Sequence, residues 1–365
     1  MPRVSVVMPC FNSGRYLGEA VSSILDQTLT DLELIVVLDT GSADGTEQEL
    51  DRFDDIRLRV VRNDPPLGLV RSLNRGFALA DGGYIARMDA DDVSAPDRLE
   101  RQASFLDGEP SVGIVGSAVR QIDGDGGDLG VRRFPTTPGL TLWRMHLDCA
   151  MCHPATMFRK SVFQDIGGYS PSASNTEDYD LWLRAMRFHD LTNLPDILLR
   201  YRIHQGSVTQ RRREEQRSLM VSKAGRAIDI TLGRPVDRDF VRCLLFPYTI
   251  ESRRNAIGAA WLLAGLRRSY MMWYKARTWE DTLQVKREVA VKMSHIMTRA
   301  VRIAPTGATM VAWQASRCGP GVAIRLGNQM LKRGKDVLSR PGDADGHLPA
   351  SPGTEQSDNG YMHPP

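Results

Sequence analysis

The chain has 365 residues, 42% of them apolar, which is enough to bury a real core in one main domain with an extension. Five cysteines (Cys10, Cys149, Cys152, Cys243 and Cys318), odd in number and scattered, exclude a disulfide framework and point to a reducing compartment. The net charge of +3 conceals a division: residues 1–210 hold 21 Lys+Arg against 30 Asp+Glu, residues 211–340 hold 26 against 10, and the last 25 hold four acids and no base.

Val4 to Met8 is a β-branched apolar run ended by Pro9, the pattern of a strand buried on both faces. After the Asn12-Ser13-Gly14 turn, Tyr16, Leu17, Ala20, Val21, Ile24 and Leu25 recur at helical spacing, and Asp31 to Leu38 reads as a second buried strand. Strand, helix, strand begins a βαβ unit. Ile56 to Val61 is predicted as a third strand, Val70 to Ala80 as a helix, and Tyr84 to Met88 as a fourth strand. This arrangement carries Pro9, Asp39, Asn63 and Asp89 to one sheet edge, where ligands of open α/β sheets bind.

Further along, a helix to Leu106, a strand from Val112 to Val119, a helix after Asp178 and a strand from Ile197 to Ile203 are expected. Asp123-Gly124-Asp125-Gly126-Gly127-Asp128 has aspartates spaced like part of a calcium loop, but the downstream glutamate is missing and a hairpin turn is expected. Cys149 and Cys152 lack a second pair for zinc and read as buried thiols. From Arg211 the pattern turns to long helices with scattered arginines. Residues 341–365, rich in Pro, Gly, Ser and Asp, are predicted to be disordered.

The chemistry concentrates in Asp89-Ala90-Asp91-Asp92, three carboxylates in four positions after a strand. Carboxylates so close repel unless positive charge lies among them, so the cluster predicts a hard divalent cation with positions left open for a phosphate or diphosphate.

Seven segments, taken in order, resemble the family 2 glycosyltransferases with a GT-A fold. They are Pro9-Cys10-Phe11-Asn12, Asp39 through Gly45-Thr46, Asn63 through Gly76, Asp89-Ala90-Asp91-Asp92, Gly167-Gly168-Tyr169, Glu177-Asp178 and Tyr201-Arg202 with His204. The resemblance covers roughly residues 3–210, and is nearest to bacterial members that build surface polysaccharides. It implies an α/β fold with a mixed, mostly parallel sheet flanked by helices (residues 1–210). A basic helical extension (211–340) and a tail (341–365) would follow.

The same resemblance implies an inverting, metal-dependent transfer of a hexosyl or deoxyhexosyl group from a UDP- or dTDP-sugar to a hydroxyl of a polysaccharide or lipid-linked glycan. Asp39 would accept a hydrogen bond from the base imide, with Pro9, Phe11 and Asn12 beside it. Asp89 would lie by the ribose and the metal. Asp91 would ligate Mg2+ or Mn2+ with Asp89 and His204, and Arg202 would close over the diphosphate. Asp178 would take the proton of the acceptor hydroxyl, and Glu177 would orient the acceptor. Arg71 and Arg87 are open between phosphate contacts and structural ion pairs. Where many members have two adjacent aspartates after the second strand, this chain has Asp39-Thr40, which loosens the choice of nucleotide.

Two rivals stay open. A nucleotidyltransferase of the same fold neighbourhood would want a basic glycine-rich loop after the first strand, and only Arg15 stands there. A non-catalytic membrane-associated scaffold would not need Asp39, Asp91 and Asp178 together.

The amino-terminal apolar stretch is too short for a signal peptide, and no run of about 18 apolar residues occurs, so no transmembrane helix is expected. The predicted place is cytoplasmic, peripheral on the inner face of the membrane. Trp261, Trp273, Trp279 and Trp313 among arginines fit an anionic lipid surface or, equally in kind, the core of a solvated helical subdomain. No nucleic-acid-binding motif accompanies the charge.

Overall fold

The computed structural model describes residues 1–204, 213–274, 278–303, 310–312 and 314–315. Its first compact unit comprises Met1–Arg238 and Ala276–Asp281. Nine strands there form one mixed sheet: β1 (Val4–Cys10), β2 (Leu32–Asp39), β3 (Leu58–Asn63), β4 (Tyr84–Arg87), β5 (Val93–Ser94), β6 (Val112–Ile122), β7 (Asp128–Arg132), β8 (Met157–Arg159) and β9 (Asp190–Arg202). The order is β3-β2-β1-β4-β8-β6-β9-β5, with β7 paired to β6.

The first half of the sheet is parallel, β2 and β4 flanking β1 in the registers Val4↔Leu32 and Val4↔Tyr84. Val4, Val6, Leu34 and Val36 are wholly buried, as are Val7, Ile35 and Val37 on the other face, because helices cover both sides. Helix α1 (Gly14–Leu25) lays Leu17, Ala20, Val21 and Ile24 on the sheet. After the short α2 (Thr46–Leu50), α3 (Leu69–Leu79) packs against β1 and β2 so closely that a Cβ at Gly76 would collide with Val7 Cγ1. That contact sets the distance of Ser72 from the end of β2.

The second half is mixed. Helix α4 (Arg98–Gly108) precedes β6, α5 (Pro138–Met145) precedes β8, and α6 (Lys160–Ile166) and α7 (Glu177–Ala185) lie between β8 and β9. β9 runs beside β6 in parallel for its whole length. The expected start of this strand at Ile197 is too late, and the reason is Pro195. A proline cannot donate to the ladder, yet the strand passes it through a bulge, Leu194 pairing with Ser117 and Ile197 with Ala118. The third strand also begins later than expected, at Leu58, because Ile56 is fully exposed while Arg57 turns back to Asp55. The Asp123 to Asp128 segment is the hairpin between β6 and β7, Asp123 Oδ1 accepting from Asp125 N at 2.9 Å and Gly127 N at 2.7 Å.

Helix α8 (Arg213–Leu232) belongs to this unit through Lys223 Nζ on Asp180 Oδ1 at 2.7 Å and through His146 Nε2 on Thr231 Oγ1 at 2.9 Å. The second unit, Asp239–Lys275 with the described residues from Thr282 onward, is helical: α9 (Arg238–Leu245) leads into it, and α10 (Arg253–Trp273) and most of α11 (Trp279–Ile303) form it. Lys292 and Arg299 hydrogen-bond the carbonyls of Leu245 and Ile250, tying α11 to the end of α9. No described helix is long and apolar enough to cross a membrane. The expected disordered tail lies outside the described residues, as do the side chains of Trp273 and Trp313.

Candidate active site

Strand ends, α7 and the start of α8 line one cleft of about 610 Å³ in the first unit. At one end lie Pro9, Phe11, Asn12 and Asp39. Asp39 is 6% exposed, and its carboxylate draws the loop before α3 inward. Asn63 Nδ2 (2.7 Å), Ser72 Oγ (3.1 Å) and Leu67 N (3.1 Å) donate to Oδ1, and Gly68 N (2.8 Å) donates to Oδ2. Burial lifts this carboxyl, but the four donors outweigh it and hold the pKa below the usual carboxylate value. Oδ2 keeps a lone pair for a ligand. The Asn12 turn, with φ of +51°, is braced to the facing loop by Asn12 N on Ser42 Oγ and Gly14 N on Asp44 Oδ2. Phe11, half-exposed on this rim, offers a flat face suited to a base.

Asp89, Asp91 and Asp92 each present an oxygen within 4.8 Å of the others. The protein supplies positive charge of its own: Arg87 is buried and ion-paired to Asp89, and Arg98, fully buried beneath them, holds Arg87 O at 2.7 Å. Burial pulls the Arg98 pKa down to about 10, opposed by the charge of Asp92. Burial first, and the neighbouring carboxylates next, push Asp92 well above the usual range. Asp92 accepts from Arg202 N at 2.8 Å through Oδ1, while its buried Oδ2 has no partner. Asp89 and Asp91, with 29% and 30% side-chain exposure, both line the cleft, and Asp91 Oδ2 lies 3.0 Å from His204 Nε2. Carboxylate oxygens with one imidazole nitrogen suit Mg2+ or Mn2+, so Asp89, Asp91 and His204 fit such an ion.

Arg202 lines the cleft, but its guanidinium is committed to protein: Nε to Asp91 O (2.8 Å), Nη2 to Glu19 Oε2 (2.6 Å) and Nη1 to Asp123 O (3.4 Å). It also lies 4.5 Å from the Tyr16 ring centroid, and Tyr16 in turn packs on His204. Its geometry is that of a brace for Asp91. Arg71 stands on the exposed face of α3 and does not line the cleft.

At the other end, α7 points its first turn into the cleft with Glu177 and Asp178. A helix amino terminus favours negative charge there. The helix is fixed by Arg184, which bonds Asp180 and the carbonyls of Ile166 and Gly168. Asp178 Oδ1 accepts from Tyr179 N at 2.6 Å, and the Cys149 thiol lies 3.7 Å from Oδ2. Burial raises the Asp178 pKa. Burial and then the Asp178 charge push Glu177 up to about 7, and its Oε2 has no partner. His153, bonded to Tyr169 OH at 2.8 Å, is kept neutral by burial and by Arg87.

The cleft therefore gathers every residue singled out from the sequence except Arg71. Sequence reasoning missed Tyr16, Arg98 and Arg132; for Arg98 the available signal was a charged residue at a core-facing helical position beside Leu99 and Ala103.

The family model described as Glycosyl transferase family 2 matches residues 5–167. The O-antigen biosynthesis glycosyltransferase WbnJ of Escherichia coli is 33% identical over 208 residues, which is 56% of this chain and 81% of WbnJ. The chain belongs to glycosyltransferase family 2. An uncharacterized glycosyltransferase of Haemophilus influenzae is 31% identical over 230 residues, covering 59% of this chain and 70% of that one. The putative glycosyltransferase EpsE of Bacillus subtilis is 36% identical over 189 residues, 50% of this chain and 66% of EpsE. S. aureus TarS 1-349, solved in complex with UDP-GlcNAc, superposes with a TM-score of 0.53 at 18% identity over 85% of this chain and 91% of that one, which shows the GT-A-like fold of this family 2 member.

Proposed function

We propose that this family 2 glycosyltransferase moves a hexosyl or deoxyhexosyl group from a UDP- or dTDP-sugar to a hydroxyl of a polysaccharide or lipid-linked glycan, inverting the anomeric centre. The observation that carries the reading is the placement of Asp178, at the first turn of α7, on the same cleft as Asp39 and Asp91. WbnJ is named for O-antigen biosynthesis and AmsE of Erwinia amylovora for amylovoran biosynthesis, which supports a surface-polysaccharide product.

In this reading Asp39 accepts a hydrogen bond from the imide N–H of uracil or thymine through Oδ2, and Phe11 and Asn12 hold the base. Asp89, Asp91 and His204 would hold Mg2+ or Mn2+. That ion supplies charge neutralisation to the departing diphosphate. Arg202 keeps Asp91 in position through its carbonyl. Asp178 accepts the hydroxyl proton as the acceptor oxygen bonds to the anomeric carbon and the bond to the diphosphate oxygen breaks on the opposite face. Its raised pKa brings the base nearer to working pH, and Glu177 stands beside it for a second acceptor hydroxyl.

We assign the transfer to the first unit, whose cleft reaches Gln216 and Met220 on α8, and the membrane contact to the basic helices of the second, on the cytoplasmic face. Along α10, Arg254, Trp261, Arg268 and Met272 share an exposed stripe that suits anionic lipid. Sedimentation with phosphatidylglycerol vesicles, and none with phosphatidylcholine vesicles, is the expected result.

The test of the reaction is release of free nucleotide from UDP-, dTDP- and GDP-sugars with Mn2+ and with EDTA. Release from a UDP- or dTDP-sugar that EDTA abolishes is expected. No release from any donor, with no thermal stabilisation by UDP, would contradict the reading.

A further inference from the structure

Four arginines line the cleft, and three are already engaged: Arg15 with Asp125, Arg87 with Asp89, and Arg202 with Glu19. Arg132 differs. At the end of β7, its guanidinium lies 4.9 Å over the Phe134 ring and makes no hydrogen bond or ion pair with any described residue. The ring, 8% exposed, fixes where the cation sits without neutralising it. Asn193 Nδ2 bridges Pro135 O (2.8 Å) and Ala150 O (3.1 Å), so the segment that follows Arg132 runs beside the one that carries Cys149, whose sulfur is 3.7 Å from Asp178 Oδ2. Arg132 thus lines the cleft on the side of the Cys149 segment, which leads to Asp178.

Two amides line the same cleft without a side-chain hydrogen bond to any described residue. Asn175 lines the cleft three positions before Asp178, held in the left-handed region with φ of +69°. Gln216 faces the cleft from α8, one turn before Met220 on the same side. A guanidinium and two amides left open beside a base form a binding surface rather than a brace, and the chemistry they share is recognition of oxygen with negative charge.

We propose that Arg132, Asn175 and Gln216 form an acceptor subsite that selects a sugar bearing an anionic group, a carboxylate or a phosphate, near the attacked hydroxyl. The inference rests on the transferase reading and names the class of its acceptor. The neutral amides take hydroxyls of the same sugar, and Met220 and Met151 give its apolar face a surface. A phosphorylated or uronic sugar is thereby distinguished from a neutral one before any proton moves.

The test uses the full chain with UDP and Mg2+ present, and two probe pairs matched except for charge. These are p-nitrophenyl β-D-glucuronide with p-nitrophenyl β-D-glucoside, and glucose 6-phosphate with glucose. Calorimetric titration is expected to show at least one charged probe binding roughly tenfold more tightly than its neutral match, the size of one charged hydrogen bond. Which pair shows it tells carboxylate from phosphate. Arg132→Gln should erase that preference, Arg132→Lys should keep part of it, and UDP affinity should be the same in all three proteins. Equal binding within both pairs, a preference that survives Arg132→Gln, or UDP affinity that falls with Arg132→Gln would overturn the proposal. Nucleotide release from the donor alone takes water in place of a sugar acceptor, so release without charge preference removes this inference and leaves the transferase reading standing.

Discussion

The two ends of the cleft are built in opposite ways. Around Asp39 and Arg202 the polar atoms are spent on protein: Asp39 carries four donors and Arg202 bonds three acceptors, while buried Arg87 Nε and Asp92 Oδ2 are the atoms beside them without a hydrogen bond to a described residue. On the Asp178 side, the side chains of Glu177 (Oε2), Arg132, Asn175 and Gln216 line the cleft with no hydrogen bond to a described residue. Fully satisfied polar networks are rigid, and unsatisfied ones have a cost that a ligand removes. The nucleotide half is thus shaped before substrate arrives, whereas the acceptor half has its polar groups waiting.

The difference can be broken from the donor side first. Asp91→Asn should lower UDP affinity in the presence of Mn2+ by about a hundredfold, read by calorimetry, while EDTA brings wild type toward the same value. Asp39→Asn leaves donors from Leu67, Gly68 and Ser72 facing a neutral amide, and should cost roughly 2 to 3 kcal/mol of unfolding free energy as well as UDP affinity.

Glu177 sharpens the contrast through pH. Its folded pKa of about 7 is raised above the unfolded value, so its contribution is favourable below the unfolded pKa, near 4.5, and is lost as pH rises through about 7. Glu177→Gln should therefore match wild type near pH 4 to 5 and be more stable at pH 8 by about 1 to 3 kcal/mol in urea unfolding.

The open end should tolerate change with little loss of stability. Asn175→Gly should be neutral and Asn175→Ala should cost about 1 kcal/mol, because only the backbone conformation is at stake. Gln216→Ala and Arg71→Ala should each alter stability by less than about 0.5 kcal/mol.

The parallel half of the fold was legible because its strands are covered on both faces, and such strands write themselves as unbroken apolar runs. Asp39 and Asp89 follow from those runs as the residues at the strand ends. Pro195 hid the first part of β9, since a bulge depends on the partner strand and leaves no local mark. Arg98 was harder to read for a related reason: its core-facing helical position beside Leu99 and Ala103 is a signal, but what lets a charge sit there, its carbonyl partners 11 and 58 positions away, is not local. Its burial also corrects the electrostatic argument made from the carboxylate run. Arg87 and Arg98 already place positive charge among Asp89, Asp91 and Asp92, so crowding alone does not require a metal, and the case for one rests on Asp91 and His204 facing the cleft.

The central claim is that donor binding and proton removal sit at opposite ends of one cleft. Calorimetric titration of Asp178→Asn with UDP and Mn2+, alongside an assay of sugar transfer, tests it most directly. The account predicts UDP affinity within about twofold of wild type and transfer reduced by at least about a hundredfold, the scale of a lost general base. Normal transfer by the variant, or loss of UDP binding with the fold intact, would contradict it.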